Sequence, residues 1–126
     1  MATVARASTA SADVSNAKVA SQVVGLTAGE ALEAGAPCHV ESDGLVYLSA
    51  AGESVQGFAA AARNTGEAIT LIGAGARFNH AASGLTAGDV FGLGATAGAL
   101  DDSPAAGNEY AFAINATDIM CFRLVP

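Results

Sequence analysis

Short apolar runs, each closed off by glycine or a small polar residue, follow one another along this chain. Ala68-Ile69-Thr70-Leu71-Ile72 reads as a buried strand, and Val19–Val24 opens the folded part with β-branched residues. Ala36–Glu41 and Leu45–Ser49 flank Ser42-Asp43-Gly44, a hairpin signal in which both central residues of an Asp43-Gly44 turn are expected at positive φ. Gln56–Arg63 is rich in Ala, but Gly57 and the break at Asn64-Thr65-Gly66 favour a strand over a helix. Val90–Leu93 is a further strand. Glu109–Ile114 and Ile119–Leu124 complete the set, with Tyr110, Phe112 and Ile114 alternating toward the expected core. No segment carries a convincing helical period. Strands separated by glycine-rich corners predict an all-β fold: a small single-domain sandwich or partly open barrel.

One phrase is written twice. Gly25-Leu26-Thr27-Ala28-Gly29-Glu30 returns as Gly84-Leu85-Thr86-Ala87-Gly88-Asp89, 59 positions later (25 to 84), and Gly35-Ala36 is followed at the same offset by Gly94-Ala95. Two copies are too few for a solenoid or propeller. The reading is two equivalent corners, with Gly25, Gly29, Gly84 and Gly88 as structural turn residues beside Asp43 and Gly44.

Composition changes this picture in one respect. Of 126 residues 52% are hydrophobic, but alanine dominates; five Phe, two Tyr and no Trp make a thin core. Such a core predicts that association with other chains supplies part of the stability. The net charge of −7 and only five basic residues argue against binding a run of phosphates, and so against nucleic acid. No stretch has the length of an apolar membrane span, and the first residues lack a secretory h-region. Synthesis in the cytoplasm with two reduced thiols, Cys38 and Cys121, is expected. Residues 1–18 lack periodicity and carry mostly Ala, Ser and Thr, so they read as a flexible arm ahead of a β-domain spanning 19–126.

Candidate chemistry is sparse. Gly73-Ala74-Gly75 follows a strand, but Phe78 stands where a dinucleotide fingerprint needs its third glycine. Cys38, His39, His80 and Cys121 are possible zinc ligands, yet adjacent Cys38 and His39 point to opposite faces of a strand and no paired ligand spacing occurs. Asp101-Asp102 reads as part of a solvated loop. No nucleophile elbow is present. The expectation is therefore no enzyme, no cofactor, no metal and no small-molecule substrate.

The order of the pieces resembles a known group. Leu26-Thr27-Ala28-Gly29-Glu30, Ala34-Gly35-Ala36-Pro37-Cys38-His39-Val40 and Asp43-Gly44-Leu45-Val46-Tyr47 are followed by Gly57-Phe58-Ala59 and Gly66–Leu71. In this order they are similar to the small capsid decoration, or cement, proteins of tailed bacteriophages, over roughly residues 19–124. Cys38 and His39 depart from that pattern. The resemblance implies a β-clip or β-tulip-like body, a homotrimer, and a place on the outer capsid surface of a virion, at junctions between major capsid proteins. It implies no catalytic residues. The N-terminal arm is then expected to pair with a capsid-protein edge through Thr3, Val4, Arg6, Ser8, Thr9 and Val14. The alternative is a β-rich surface module that recognises a glycan or receptor, although Tyr47 and Tyr110 are expected within strands rather than on loops.

Overall fold

The computed structural model describes residues 3–4, 22–81, 83–104 and 108–124. Among them there is no helix, and the fold is all-β. The strands are β1 (Thr3–Val4), β2 (Gln22–Ala28), β3 (Pro37–Val40), β4 (Leu45–Leu48), β5 (Gly57–Ala59), β6 (Ala68–Ile72), β7 (Arg77–Asn79), β8 (Val90–Leu93), β9 (Leu100–Asp101), β10 (Ala111–Ala113) and β11 (Asp118–Cys121). They build a closed five-stranded barrel, β2-β4-β3-β5-β6, and an open sheet, β1-β9-β8-β10-β11-β7. Arg6, Ser8, Thr9 and Val14 lie outside the described residues. Thr3 and Val4 pair antiparallel with Asp101 and Leu100 of the same chain.

The barrel and the sheet are two copies of one arrangement. Pro37↔Phe58 and Cys38↔Gly57 in the barrel correspond to Val90↔Phe112 and Phe91↔Ala111 in the sheet, and His39↔Tyr47 corresponds to Gly92↔Asp101. Phe58↔Ile72 likewise matches Phe112↔Met120, and Gln22↔Ile72 matches Arg77↔Met120. The copies differ in closure. Thr27 and Ala28 of β2 pair in parallel with Leu45 and Val46 of β4, whereas β9 gives its outer edge to β1.

Each copy is held at its corners by the same four-residue turn, with a small residue and then a glycine at its centre. Thr86-Ala87-Gly88-Asp89 closes with Asp89 N–H donating to Thr86 O at 3.0 Å, and Glu33-Ala34-Gly35-Ala36 closes in the same way at 3.1 Å. Gly88 sits at φ +90° and Gly35 at +77°, as the third position of a type II turn demands. The Gly88 N–H donates to Ala113 O and Asp89 O accepts from Ala113 N–H; Gly35 and Ala36 do the same with Ala59. The corner equivalent to Gly88 is thus Gly35, 53 positions earlier (35 to 88), not Gly29.

The repeated phrase therefore occupies different structures, which corrects the sequence expectation. Gly25 through Ala28 belong to β2, with Gly25 at φ +81° where the register with β6 slips between Val23 and Leu26, a β-bulge. Gly84, at φ +92°, and Gly88 stand in the loop before β8. Gly29 does not have positive φ. It is glycine because of a close approach: a Cβ there would meet Tyr47 Cζ at 2.5 Å and Leu45 Cβ at 2.9 Å. The Asp43-Gly44 hairpin forms as expected, but only Gly44 is at positive φ. Gly44 N–H donates to Glu41 O and Glu41 N–H to Leu45 O, a three-residue loop ending in a glycine bulge.

Two apolar clusters follow from the pleat. Cys38, Val46, Ala59, Ile69 and Leu71 point into the barrel, while Phe58 and Ile72, one residue along β5 and β6, point out toward the sheet. There they meet Phe78, Phe91, Leu100 and Ile119. The expected core face of 109–114 is reversed in part. Ala111 and Ala113 face this cluster, and half-buried Phe112 packs on Phe122 on the other side, ring centroids 5.9 Å apart. The space is already filled by the phenylalanines of neighbouring strands, so only small side chains fit on β10. Tyr110, just before the strand, is buried.

These corners predict two separable costs. A Gly88→Val variant meets no neighbouring atom but is forced to positive φ, and should lose about 1–3 kcal/mol. Gly29→Ala should destabilise through contact instead, so Tyr47→Ala in the same chain should recover part of the loss. Thermal unfolding of the four-member Gly29/Tyr47 cycle tests this; strict additivity would contradict the contact.

Candidate functional site

The most concentrated polar chemistry surrounds His39 at the end of β3. Alternation along the strand sends Cys38 into the barrel and His39 outward, as the sequence predicts, yet His39 remains only 7% exposed. Its neighbours arrive from three places. Glu41, two residues on, shares its side of the chain and brings Oε2 to 3.0 Å from Nε2. Glu53 closes the turn after β4 and brings its Oε2 to 3.6 Å from the same nitrogen. Ser49, just past β4, places Oγ 2.9 Å from Nδ1.

Ser49 and Glu53 are each held by bonds of their own. Ser49 Oγ donates to Ser54 O at 2.7 Å, and Ser49 N–H donates to Pro37 O. Glu53 Oε1 accepts from Ala50 N–H at 2.9 Å, and Glu53 N–H donates to Ala50 O at 3.0 Å. Histidine and serine are buried, but both glutamates are nearly half exposed, so the group opens to solvent on the carboxylate side.

Beside it, across β3–β4, lies Tyr47, its ring centroid 6.4 Å from that of His39. The Tyr47 hydroxyl donates to Asp43 Oδ2 at 2.6 Å, and Leu45 N–H donates to Asp43 Oδ1 at 2.9 Å. The Tyr47 hydroxyl bond, supported by that backbone bond, holds the Asp43 carboxyl below its ordinary range; the same bond pushes Tyr47 up to about 12. Tyr47 lies in β4 as expected.

The other residues weighed from sequence are dispersed. His80 is fully buried edge-on to Phe78, centroids 6.4 Å apart. Cys38 and Cys121 are both reduced and buried, in different apolar clusters. Gly73-Ala74-Gly75 forms a tight turn into β7, with Gly75 at φ +91° and its N–H on Cys121 O. Asp101 corrects the solvated-loop reading: it lies in β9 at 1% exposure, and its Oδ1 accepts from Ser103 N–H at 2.8 Å. Asp102 is exposed. The grouping of Glu41, Ser49 and Glu53 about His39 was missed. The i, i+2 spacing of His39 and Glu41 on a strand was a usable signal, but Glu53 depends on the path of the turn after β4.

Comparison with protein-family models, with curated proteins and with solved structures finds no match to this chain.

Burial raises the Cys121 thiol to about 11, which a backbone hydrogen bond at Arg123 only partly opposes. A group raised in the folded state adds stability that is complete below its unfolded value near 9 and is lost as pH climbs toward 11. Stability against denaturant should therefore fall from pH 8.5 to pH 11 by up to about 3 kcal/mol. Cys121→Ala should flatten part of that slope; an unchanged slope would assign it elsewhere.

Proposed function

We propose that this protein is a structural component of a phage virion. In this reading it binds the outer capsid surface as a trimeric cement protein and reinforces junctions between major capsid proteins. It carries out no catalysis. The observation that carries the reading is the first half of β2. Gln22 and Val23 pair on one side only among the described residues, with Ile72 and Leu71 of β6, and Val24 follows in the bulge, because the parallel pairing with β4 is confined to Thr27 and Ala28. Val23 and Val24 are 46% and 69% exposed. An open strand edge that displays valines is a liability for a solitary domain and an asset for one that adds a strand from a neighbour.

Three further features support it. The quoted order of turns and strands resembles that of decoration proteins. The exposed edge at Gln22 follows residues 1–18 closely in sequence. A threefold assembly multiplies a weak contact through effective concentration, which suits an acidic domain with a modest core.

Deleting residues 1–18 and binding the protein to undecorated heads tests this reading. The truncated body should keep its far-ultraviolet spectrum while its occupancy falls at least tenfold. Undiminished occupancy would leave the body surface alone responsible for attachment. Sedimentation of the free protein and a map of decorated heads address the trimer: a monomer in solution that also sits singly on the shell would refute it.

A further inference from the structure

We propose that His39, Glu41 and Glu53 form a binding site for a single divalent transition-metal ion of the zinc type. The proposal stands apart from the capsid reading and needs no partner.

The argument begins with one proton. Ser49 Oγ lies 2.7 Å from Ser54 O and 2.9 Å from His39 Nδ1. A hydroxyl has a single hydrogen, and a carbonyl oxygen can only accept, so that hydrogen goes to Ser54 O. Ser49 Oγ must then accept at its other contact, and His39 Nδ1 carries the N–H. In the neutral imidazole this leaves the lone pair on Nε2. That lone pair points at Glu41 Oε2 and Glu53 Oε2, at 3.0 and 3.6 Å. In that neutral form Nε2 and the two carboxylate oxygens converge as three acceptors, where a protonated ring would instead donate its Nε2–H to Glu41, and the imidazole is nine-tenths buried. A cation in their midst turns three mutual repulsions into three bonds.

The dimensions suit zinc. Tetrahedral zinc binds nitrogen and carboxylate oxygen at about 2.1 Å, which sets neighbouring ligand atoms about 3.4 Å apart. The two His–Glu separations bracket that value, and all three ligand atoms lie within 4.8 Å of one another. One imidazole with two carboxylates selects borderline metals over magnesium or calcium, which prefer oxygen alone. Ser49 accepting from the far ring N–H takes the outer-support role that a carboxylate, carbonyl or water fills at other metal-bound histidines: it fixes both tautomer and ring direction. The solvent-facing side leaves a fourth position for water. Bound there, the ion ties the end of β3 to the turn after β4.

The test uses the full chain. Calorimetric titration with zinc chloride should give one equivalent per chain, and cobalt(II) should give the visible absorption of a four-coordinate nitrogen–oxygen site. Millimolar magnesium or calcium should not displace either. Glu53→Gln retains an oxygen for Ala50 N–H while removing the charge, and should weaken zinc at least tenfold; Glu41→Gln should do the same. His39→Gln, checked for folding by circular dichroism, should abolish the cobalt signal. Absence of saturable zinc binding by the wild type would overturn the proposal. So would wild-type zinc affinity in Glu41→Gln and Glu53→Gln, or displacement by calcium.

Discussion

The fold depends on a corner. In each copy a glycine at positive φ turns the chain, and its N–H and the following carbonyl clasp one residue of the strand alongside. A side chain at that glycine would oppose the turn, and without the turn the clasp loses its geometry. Similar turns stand before β3, β6, β7, β8 and β9, at Gly35, Gly66, Gly75, Gly88 and Gly98. Because these corners set where each strand begins, strands of only two to five residues keep a unique register. That economy explains how a chain so rich in alanine maintains order: the backbone does what large side chains do in other small β-domains.

Much of this was legible beforehand. The all-β class, the buried strand at Ala68–Ile72 and the Asp43-Gly44 hairpin follow from local composition, because turn chemistry and apolar runs are local properties. The duplication was legible only in outline. The literal repeat of Gly25–Glu30 at Gly84–Asp89 suggests equivalence at an offset of 59, while the strands correspond at offsets near 53. What the two copies share is a turn pattern tolerant of many sequences, so identity of letters pointed to the wrong register. The direction of Phe112 was not legible either. Alternation identifies two faces, but which face is inward is decided by Phe58, Phe78 and Phe91 on other strands.

The candidate site divides along the same line. Opposed directions for Cys38 and His39 follow from the strand period alone. The approach of Glu53 depends on a turn stabilised by its own Oε1, and the role of Ser49 depends on the carbonyl of Ser54. These are relations between loops and are invisible to spacing rules. They matter because they fix which ring nitrogen of His39 is occupied by hydrogen, and hence what the other can hold.

Unequal closure of the two copies bears on the order in which the protein is made. The barrel ends at Ile72, so a ribosome has delivered all five of its strands before any strand from β7 onward emerges. At that moment Phe58, Ile72 and Val55 face solvent, since the sheet that covers them does not yet exist. The apolar side of the first half is therefore complete in sequence before the strands that cover it are made. Two copies of one arrangement thus give the chain both an inner unit and the layer that shelters it.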